Sequence, residues 1–227
     1  MKAGVADISR SRERIRSSGI YLVTDTALCG PRGVIDTVRA AVAGGVETIQ
    51  VREKEASAAD FYALVLAVAE AAGHRATVLV DDRVDIYLAA RAARAAVHGV
   101  HVGQNDLPAD LVRTLVGPDA VVGLTANTAE HLDALAALPP GTVDYLGAGV
   151  IRPTRTKPDH PEPLGVGGFA AFSARAPLPV VAIGGILRED IGALRAAGAT
   201  GAAVVSAICG AADPRQAAVA LVGAWNA

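Results

Sequence analysis

The sequence has few aromatic residues and almost no net charge, and each shortage argues against a class of partner. Only 4% of the 227 residues are Phe, Trp or Tyr, which leaves little material for surfaces that stack on bases or glycans. The formal net charge of −2 gives no basic surface for nucleic acid or for an anionic membrane. No run of about 18 apolar residues occurs, so we expect no transmembrane helix. Neither nucleic acid nor a membrane is therefore an expected partner.

Cysteine is also scarce. Cys29 and Cys209 are far apart and belong to no CxxC motif, so neither a disulfide scaffold nor a structural zinc site is expected. Residues 1–18 are charged throughout and lack the apolar segment of a signal peptide. These features predict a cytoplasmic protein with two reduced thiols.

Aliphatic residues, by contrast, are abundant. Hydrophobic residues make up 52% of the chain and charged residues 19%, which is sufficient for one large domain with a substantial core. Short runs rich in Val, Ile and Leu alternate with Ala-rich segments. The eight runs are residues 21–25, 48–52, 78–82, 99–104, 121–125, 143–147, 180–185 and 203–206. Continuous apolar runs are typical of parallel strands that are buried on both faces.

The segments between the runs have helical periodicity, with apolar residues in one stripe such as Val34, Val38 and Val42. Eight strand–helix units predict a single-domain α/β fold, the (β/α)8 TIM barrel, over residues 19–227. A doubly wound open sheet has the same alternation, but no GxGxxG motif follows the first strand. Residues 1–18 are predicted to form an extra helix or a flexible tail.

In a barrel of this kind, catalytic groups lie at the carboxyl ends of the strands and in the loops that follow. Those positions hold three cations and three carboxylates: Arg52, Lys54, Lys157, Asp81, Asp82 and Asp106. Mg²⁺ is usually held by one or two carboxylates together with substrate phosphates. Basic side chains neutralise the remaining phosphate charge. The combination predicts a polyanionic substrate that binds with a divalent metal.

A second anion site, without a metal, is predicted after the seventh and eighth strands. Gly184 and Gly185 follow the seventh strand and Ser206 the eighth, where barrels commonly bind phosphate through backbone N–H groups. Only one connection is long. It covers residues 149–169, is rich in Pro, Gly and Thr, and is predicted to be a functional loop.

Each of these residues also has a simpler structural explanation. Asp82 and Asp106 could each cap a helix, and His101 is more readily explained as a residue that orders neighbouring loops. Thr154 and Thr156 could be ordinary turn hydroxyls. The functional interpretation is favoured because all of these side chains converge on one rim, which caps and turns need not do.

Six segments together resemble the thiamine phosphate synthase family. They are Gln50–Lys54, Asp81–Asp85, Val100–Asp106, Pro153–Lys157, Val181–Ile186 and Val204–Ile208. They occur in family order and span all eight strand–helix units. The resemblance implies a barrel transferase that joins a hydroxymethylpyrimidine diphosphate to a thiazole phosphate and releases diphosphate. It also implies that no nucleophilic side chain takes part.

The resemblance implies roles for individual residues as well. Mg²⁺ is the implied cofactor, with Asp82 and Asp106 as its ligands. Arg52, Lys54 and Lys157 are the implied catalytic residues, which stabilise the leaving diphosphate. The implied pyrimidine diphosphate site consists of Gln50, Val51, Arg52, Glu53, Lys54, Asp81, Thr125 and Lys157. The implied thiazole phosphate site consists of Thr154, Arg155, Thr156, Gly185, Val205 and Ser206.

The chain departs from the family pattern at a few positions. Asp81 stands where Asn is usual, Thr125-Ala-Asn127 replaces Ser-Ala-His, and Val150 replaces a Pro. A thiazole tautomerase-like isomerase and a non-catalytic phosphate-ligand sensor are alternatives on the same barrel. The complete set of acidic and basic residues favours the synthase. Its two small-molecule substrates are the expected partners, and a homo-oligomer is left open.

Overall fold

The computed structural model describes residues 8–154 and 162–227. Its eight strands are all parallel and form a closed barrel, in which each strand pairs with the next and the last pairs with the first. This architecture confirms the predicted (β/α)8 barrel. Closure also rules out the doubly wound open sheet, which would leave two unpaired strand edges.

The strands are short, and helices precede the first strand, connect successive strands and follow the last. The strands are β1 (Gly19–Val23), β2 (Thr48–Val51), β3 (Thr77–Asp81), β4 (Gly99–Val102), β5 (Val121–Thr125), β6 (Tyr145–Gly149), β7 (Val180–Ile183) and β8 (Gly201–Val204). The helices are α1 (Ile8–Arg16), α2 (Thr26–Cys29), α3 (Gly33–Ala43), α4 (Ala58–Ala72), α5 (Val84–Ala92), α6 (Ala109–Val116), α7 (Ala129–Ala136), α8 (Gly165–Ser173), α9 (Ile191–Ala196), α10 (Ser206–Cys209) and α11 (Pro214–Asn226). Short 3-10 turns occupy Gly30–Arg32, Gly73–Arg75 and Arg188–Asp190.

The core has two layers, as the continuous apolar runs predicted. The outer layer lies between the strands and the helices, and it includes the predicted stripe of Val34, Val38 and Val42 on α3. The inner layer fills the barrel and contains two tyrosines, Tyr21 and Tyr145, among small aliphatic side chains. Burial on both faces explains why the strand sequences do not alternate.

Two local details differ from the sequence-based expectation. The sixth strand begins at Tyr145 instead of Val143, because the Val122 backbone N–H of β5 donates to the Asp144 carboxylate at 2.8 Å and not to a backbone carbonyl before β6. The short helix α2 was not predicted. It begins where the Asp25 carboxylate accepts a hydrogen bond from the Leu28 backbone N–H at 2.9 Å.

Helix α1 covers the amino-terminal end of the barrel. Ile15 is 1% exposed and packs with the residues that fill the barrel interior. Arg12 Nε donates to Asp144 Oδ1 at 2.9 Å, and Arg113 Nη2 donates to Asp144 Oδ2 at 2.7 Å. A helix thus occupies part of the region predicted as an extra helix or tail. It seals the end of the barrel opposite the carboxyl ends of the strands.

The two cysteines are close together in space although they are distant in sequence. Both are free and buried, and Cys209 Sγ donates to the Val23 carbonyl at 3.7 Å. Cys29 is on α2, which follows the first strand, and Cys209 is on α10, which follows the last. Among the described residues, no helix is long and apolar enough to cross a bilayer.

Candidate active site

The carboxyl ends of the strands bring the predicted charged residues to one rim. Asp81 is the last residue of β3 and Asp82 follows it, while Arg52 follows β2 and Lys54 lies two residues further on. In a parallel barrel these strand ends are neighbours. The side-chain contacts show that the charged groups meet.

Arg52 and Lys54 both approach the carboxylate of Asp81. The Lys54 Nζ atom lies 3.5 Å from Asp81 Oδ2 and directly contacts the carboxylate of Asp82. The Arg52 Nε atom lies 3.8 Å from the same Asp81 oxygen, and its Nη1 atom lies 3.7 Å from Asp25 Oδ2. Lys54 is half-exposed, so its ammonium faces the mouth of the barrel.

The pKa values reflect crowding of negative charge. Burial, together with the charge of Asp82, raises the pKa of Asp81 to about 7, against the opposing effect of Lys54 and Arg52. The pKa of Asp106 is also raised, by burial and by the charge of Asp82. Burial lowers the pKa of Lys54, but its hydrogen bond to Asp82 and the charge of Asp81 outweigh this and raise it. Asp82 is thus close enough to influence three titrating neighbours.

Neither Asp82 nor Asp106 caps the helix that follows it. The residue before α5 is Arg83, which makes no side-chain capping bond, and the residue before α6 is Pro108. The Asp106 carboxylate accepts a hydrogen bond from the Gly103 backbone N–H at 2.8 Å, within its own loop. Asp82 has a φ of +56°, a left-handed conformation that is uncommon for a residue other than glycine. The capping explanation is therefore wrong for both residues.

The donors at this rim fit Mg²⁺ better than a metal that is held by protein alone. Among the described residues, no group of three or more His, Cys, Asp and Glu side chains is arranged to hold a metal ion. Burial and the charge of Asp82 raise the pKa of Asp106, and a divalent cation beside the two carboxylates would relieve their repulsion. Mg²⁺ prefers hard oxygen ligands and takes the remaining ones from water and substrate phosphates.

Gln50 and Thr125 lie at the inner wall of the barrel beside this cluster. Gln50 is 5% exposed and its Nε2 donates to Tyr21 OH at 2.9 Å. Thr125 Oγ1 lies 3.0 Å from His101 Nε2. The imidazole of His101 therefore contacts residues of the barrel interior, not only the loops that it was predicted to order.

Two residues of the predicted pyrimidine diphosphate site point elsewhere. Val51 is fully buried and packs in the layer between strands and helices, so only its backbone could reach a ligand in the barrel mouth. The Glu53 carboxylate accepts from Thr26 Oγ1 at 2.5 Å and from the Glu55 backbone N–H at 2.9 Å. The hydrogen bond from Thr26 lowers the pKa of Glu53. Both side chains are turned away from the Asp81–Asp82 pair.

The loops after β6 and β7 pack against each other at the predicted thiazole phosphate site. Gly185 has a φ of +65°, and a Cβ atom added to it would lie 2.7 Å from the Arg152 carbonyl oxygen. The Arg152 backbone N–H donates to the Gly184 carbonyl at 3.0 Å. Thr154 is half-buried on the same loop. The close contact leaves no room for a side chain at Gly185.

The remaining predicted residues divide into two groups. Val205 and Ser206 follow β8, where Ser206 begins α10 and Val205 is half-buried. Arg155, Thr156 and Lys157 lie outside the described residues.

Sequence reasoning missed several residues that shape the site. Tyr21 and Tyr145 lie below Gln50 and Thr125, and Asp190 holds the guanidinium of Arg152 with two hydrogen bonds of 2.9 and 2.6 Å. The tyrosines carried a signal, because a hydroxyl in a buried aliphatic run needs a partner. The sequence contains no signal for the Arg152–Asp190 pair, because the two residues belong to different loops.

Comparisons with known proteins point to one family. The family model described as thiamine monophosphate synthase matches residues 20–208. The chain is 50% identical over 181 residues to the thiamine-phosphate synthase of Corynebacterium efficiens, covering 80% of this chain and 83% of the relative. It is 41% identical over 203 residues to that of a Psychrobacter species, covering 89% and 93%.

A solved structure shows the same fold. The thiamine phosphate pyrophosphorylase of Pyrococcus furiosus superposes with a TM-score of 0.79 at 29% identity, covering 93% of this chain and 97% of that one. These comparisons confirm the resemblance carried by the six sequence segments. The chain belongs to the thiamine monophosphate synthase family.

Proposed function

We propose that this protein condenses a hydroxymethylpyrimidine diphosphate with a thiazole phosphate to form thiamine phosphate, and that it requires Mg²⁺. The observation that carries the proposal is the cluster in which Arg52 and Lys54 meet Asp81 and Asp82 at the barrel mouth. Paired cations and carboxylates at one rim suit a diphosphate that binds with a divalent metal.

In the proposed reaction, the bond between the pyrimidine CH₂ carbon and the diphosphate oxygen breaks, and its electron pair leaves with the diphosphate. The lone pair of the thiazole nitrogen forms the new C–N bond. Mg²⁺, when held by Asp82 and Asp106, would neutralise charge on the leaving diphosphate. Arg52, Lys54 and Lys157 are proposed to do the same through hydrogen bonds and charge.

The other contacts are proposed to position the two substrates. Gln50 and Thr125 face the pyrimidine diphosphate, together with the Val51–Glu53 backbone and Asp81. Thr154, Arg155, Thr156, Gly185, Val205 and Ser206 hold the thiazole phosphate. Packing against Arg152 explains why position 185 is a glycine, and the Gly185 backbone N–H is proposed to bind the phosphate.

The proposed mechanism needs no nucleophilic side chain. Both cysteines are buried, and neither lies among the residues of the rim. Catalysis is proposed to come from leaving-group stabilisation and from alignment of the thiazole nitrogen with the CH₂ carbon. The cytoplasmic location remains a prediction, and the oligomeric state is left open.

The test is diphosphate release by the full-length protein. We expect release only when the pyrimidine diphosphate, the thiazole phosphate and Mg²⁺ are all present. Conversion of the thiazole phosphate tautomer without diphosphate release would favour the isomerase. Saturable binding of either substrate without turnover would favour the sensor.

A further inference from the structure

A continuous chain of buried hydrogen bonds lies beneath the proposed pyrimidine diphosphate site. Gln50 Nε2 bonds Tyr21 OH at 2.9 Å, and Tyr21 OH bonds Tyr145 OH at 2.9 Å. Tyr145 OH bonds His101 Nδ1 at 2.9 Å, and His101 Nε2 bonds Thr125 Oγ1 at 3.0 Å. Both ends of the chain, Gln50 and Thr125, are residues of the proposed site.

The barrel is built to hold this chain. A Cβ atom added to Gly123 on β5 would lie 2.3 Å from Tyr145 Cζ and 2.4 Å from His101 Nδ1. A Cβ atom added to Gly147 on β6 would lie 3.0 Å from His101 Cε1. Neither glycine has a positive φ, so space and not backbone conformation requires them. Glycine at these two interior positions leaves the space that the His101 imidazole and the Tyr145 phenol occupy.

Hydrogen-bonding capacity gives the chain one direction. The Gln50 amide nitrogen can only donate, so Tyr21 OH accepts from it and needs an acceptor for its own hydrogen. Tyr21 and Tyr145 are each 1% exposed, and burial raises the pKa of both phenols, so both keep their hydrogens. Tyr21 therefore donates to Tyr145, and Tyr145 donates to His101 Nδ1.

The direction determines the state of the imidazole. Because His101 Nδ1 accepts a hydrogen bond, the single hydrogen of the neutral ring is on Nε2. That N–H donates to Thr125 Oγ1. Because Thr125 Oγ1 accepts the hydrogen of His101 Nε2, the hydrogen of the Thr125 hydroxyl is available for donation to another group. Thr125 is the last residue of β5, so this donation is made at the mouth of the barrel.

We infer that Tyr21, Tyr145 and His101 are positioning residues, which fix His101 in the Nε2–H form and so direct the Thr125 hydroxyl hydrogen towards the substrate. The part of this inference that names the substrate rests on the proposed function. The direction of the chain does not, because it is a property of the free protein.

The first test measures the tautomer directly in the full-length protein. Long-range ¹H–¹⁵N correlation spectra of [¹⁵N]histidine-labelled protein at pH 8 distinguish the protonated ring nitrogen from the unprotonated one. The signals of His101 are assigned by their absence in His101→Asn. We expect the hydrogen on Nε2. A hydrogen on Nδ1, or an even mixture of both forms, would overturn the inference, because either means that the chain does not run from Gln50 to Thr125.

A variant pair tests whether the tyrosines set the tautomer. Tyr145→Phe removes the donor to Nδ1, so we expect the strong preference for Nε2–H to disappear. Tyr87→Phe is the matched control, since Tyr87 is also 1% exposed but packs in the outer layer on α5. It should leave the His101 signals unchanged. An unchanged preference in Tyr145→Phe would contradict the inference.

The last test connects the chain to turnover. Tyr145→Phe should lower kcat about fivefold, the effect expected from one misdirected neutral hydrogen bond. In a Thr125→Val background, which has no hydroxyl to direct, the same change should have no further effect on kcat. An equal loss in both backgrounds would show that Tyr145 does not act through Thr125. A wild-type protein that releases no diphosphate would refute the proposed function, while the tautomer measurement would still decide the direction of the chain.

Discussion

The ammonium of Lys54 directly contacts the carboxylate of Asp82, the residue proposed to bind Mg²⁺. The same ammonium lies 3.5 Å from Asp81 Oδ2, so it partly neutralises both carboxylates. Lys54, which is proposed to stabilise the leaving diphosphate, therefore also balances negative charge at the proposed metal site. Loading of the site with Mg²⁺ and substrate must involve a change of partner for Lys54.

Replacing Lys54 should separate its two effects. In Lys54→Gln, we expect Mg²⁺ alone to bind about two- to fivefold more tightly, because a half-exposed competing cation is removed. We expect kcat to fall about 100-fold, because charge stabilisation of the leaving group is lost. Calorimetric titration with MgCl₂ and diphosphate-release kinetics measure the two effects. Arg83→Gln is the control, because the Arg83 guanidinium pairs with Asp85. Weaker Mg²⁺ binding by Lys54→Gln would contradict the competition.

Asp106→Asn tests the proposed metal ligand without disturbing its loop. The amide oxygen can still accept the hydrogen bond from the Gly103 backbone N–H, so we expect Tm to change by no more than about 2 °C. Loss of the charged ligand should lower kcat about 100-fold. Asp110→Asn makes the same change on the exposed first turn of α6 and should alter neither quantity. Normal turnover by Asp106→Asn would remove Asp106 from the metal site.

Asp81→Asn should remain active. The substitution removes a negative charge beside the proposed diphosphate and places there a side chain that can donate a hydrogen bond. We expect the KM for the pyrimidine diphosphate to fall about two- to fivefold, with kcat within about threefold of wild type. Diphosphate-release kinetics measured beside Asp82→Ala provide the comparison. If Asp81→Asn is as inactive as Asp82→Ala, Asp81 is a required metal ligand.

The buried imidazole of His98 makes stability depend on pH. Burial lowers the pKa of His98 to about 4, below the ordinary value of about 6.5, and its Nδ1 accepts a hydrogen bond from the Val78 backbone N–H. Between these two pH values the unfolded chain binds a proton that the native chain does not. The free energy of unfolding should therefore fall as the pH decreases through this window, by about 3 kcal/mol in total.

Urea unfolding at a series of pH values measures this dependence. His98→Asn keeps an oxygen acceptor but cannot titrate, so its free energy of unfolding should vary less between pH 6.5 and pH 4 than that of wild type. A slope in His98→Asn equal to that of wild type would show that His98 is not the group responsible.

Most of the barrel was predictable because its signals are local. Each strand is a continuous aliphatic run, and helix α4 is followed by Gly73, whose φ of +56° disfavours a residue with a side chain. The rim was predictable for a related reason. Once the strands are parallel, a polar residue at the carboxyl end of one strand lies near those of its neighbours, as Arg52, Lys54 and Asp81 do.

What the sequence could not predict are contacts across the barrel. Tyr21 is on β1 and Tyr145 is on β6, and no local sequence pattern shows that their hydroxyls lie at the same height along the barrel axis. That height depends on the stagger of all eight strands. The directions of the Val51 and Glu53 side chains were missed although both residues belong to one local motif. A sequence motif identifies a segment, but only the alternation of a strand and the turn after it decide which side chains face the ligand.

The docking of α1 has a consequence for the order in which this chain acquires its structure during synthesis. Arg12 is synthesised more than a hundred residues before its partner Asp144. The separation in sequence between β1 and its neighbour β8 is larger still. Until then, the first helix and strand lack the contacts that bury Ile15 and the edge of β1. Contacts between distant parts of a chain form slowly and leave apolar surface exposed in the meantime. The nascent segment from α1 to β1 therefore keeps Ile15 and one strand edge exposed until β8 has been made.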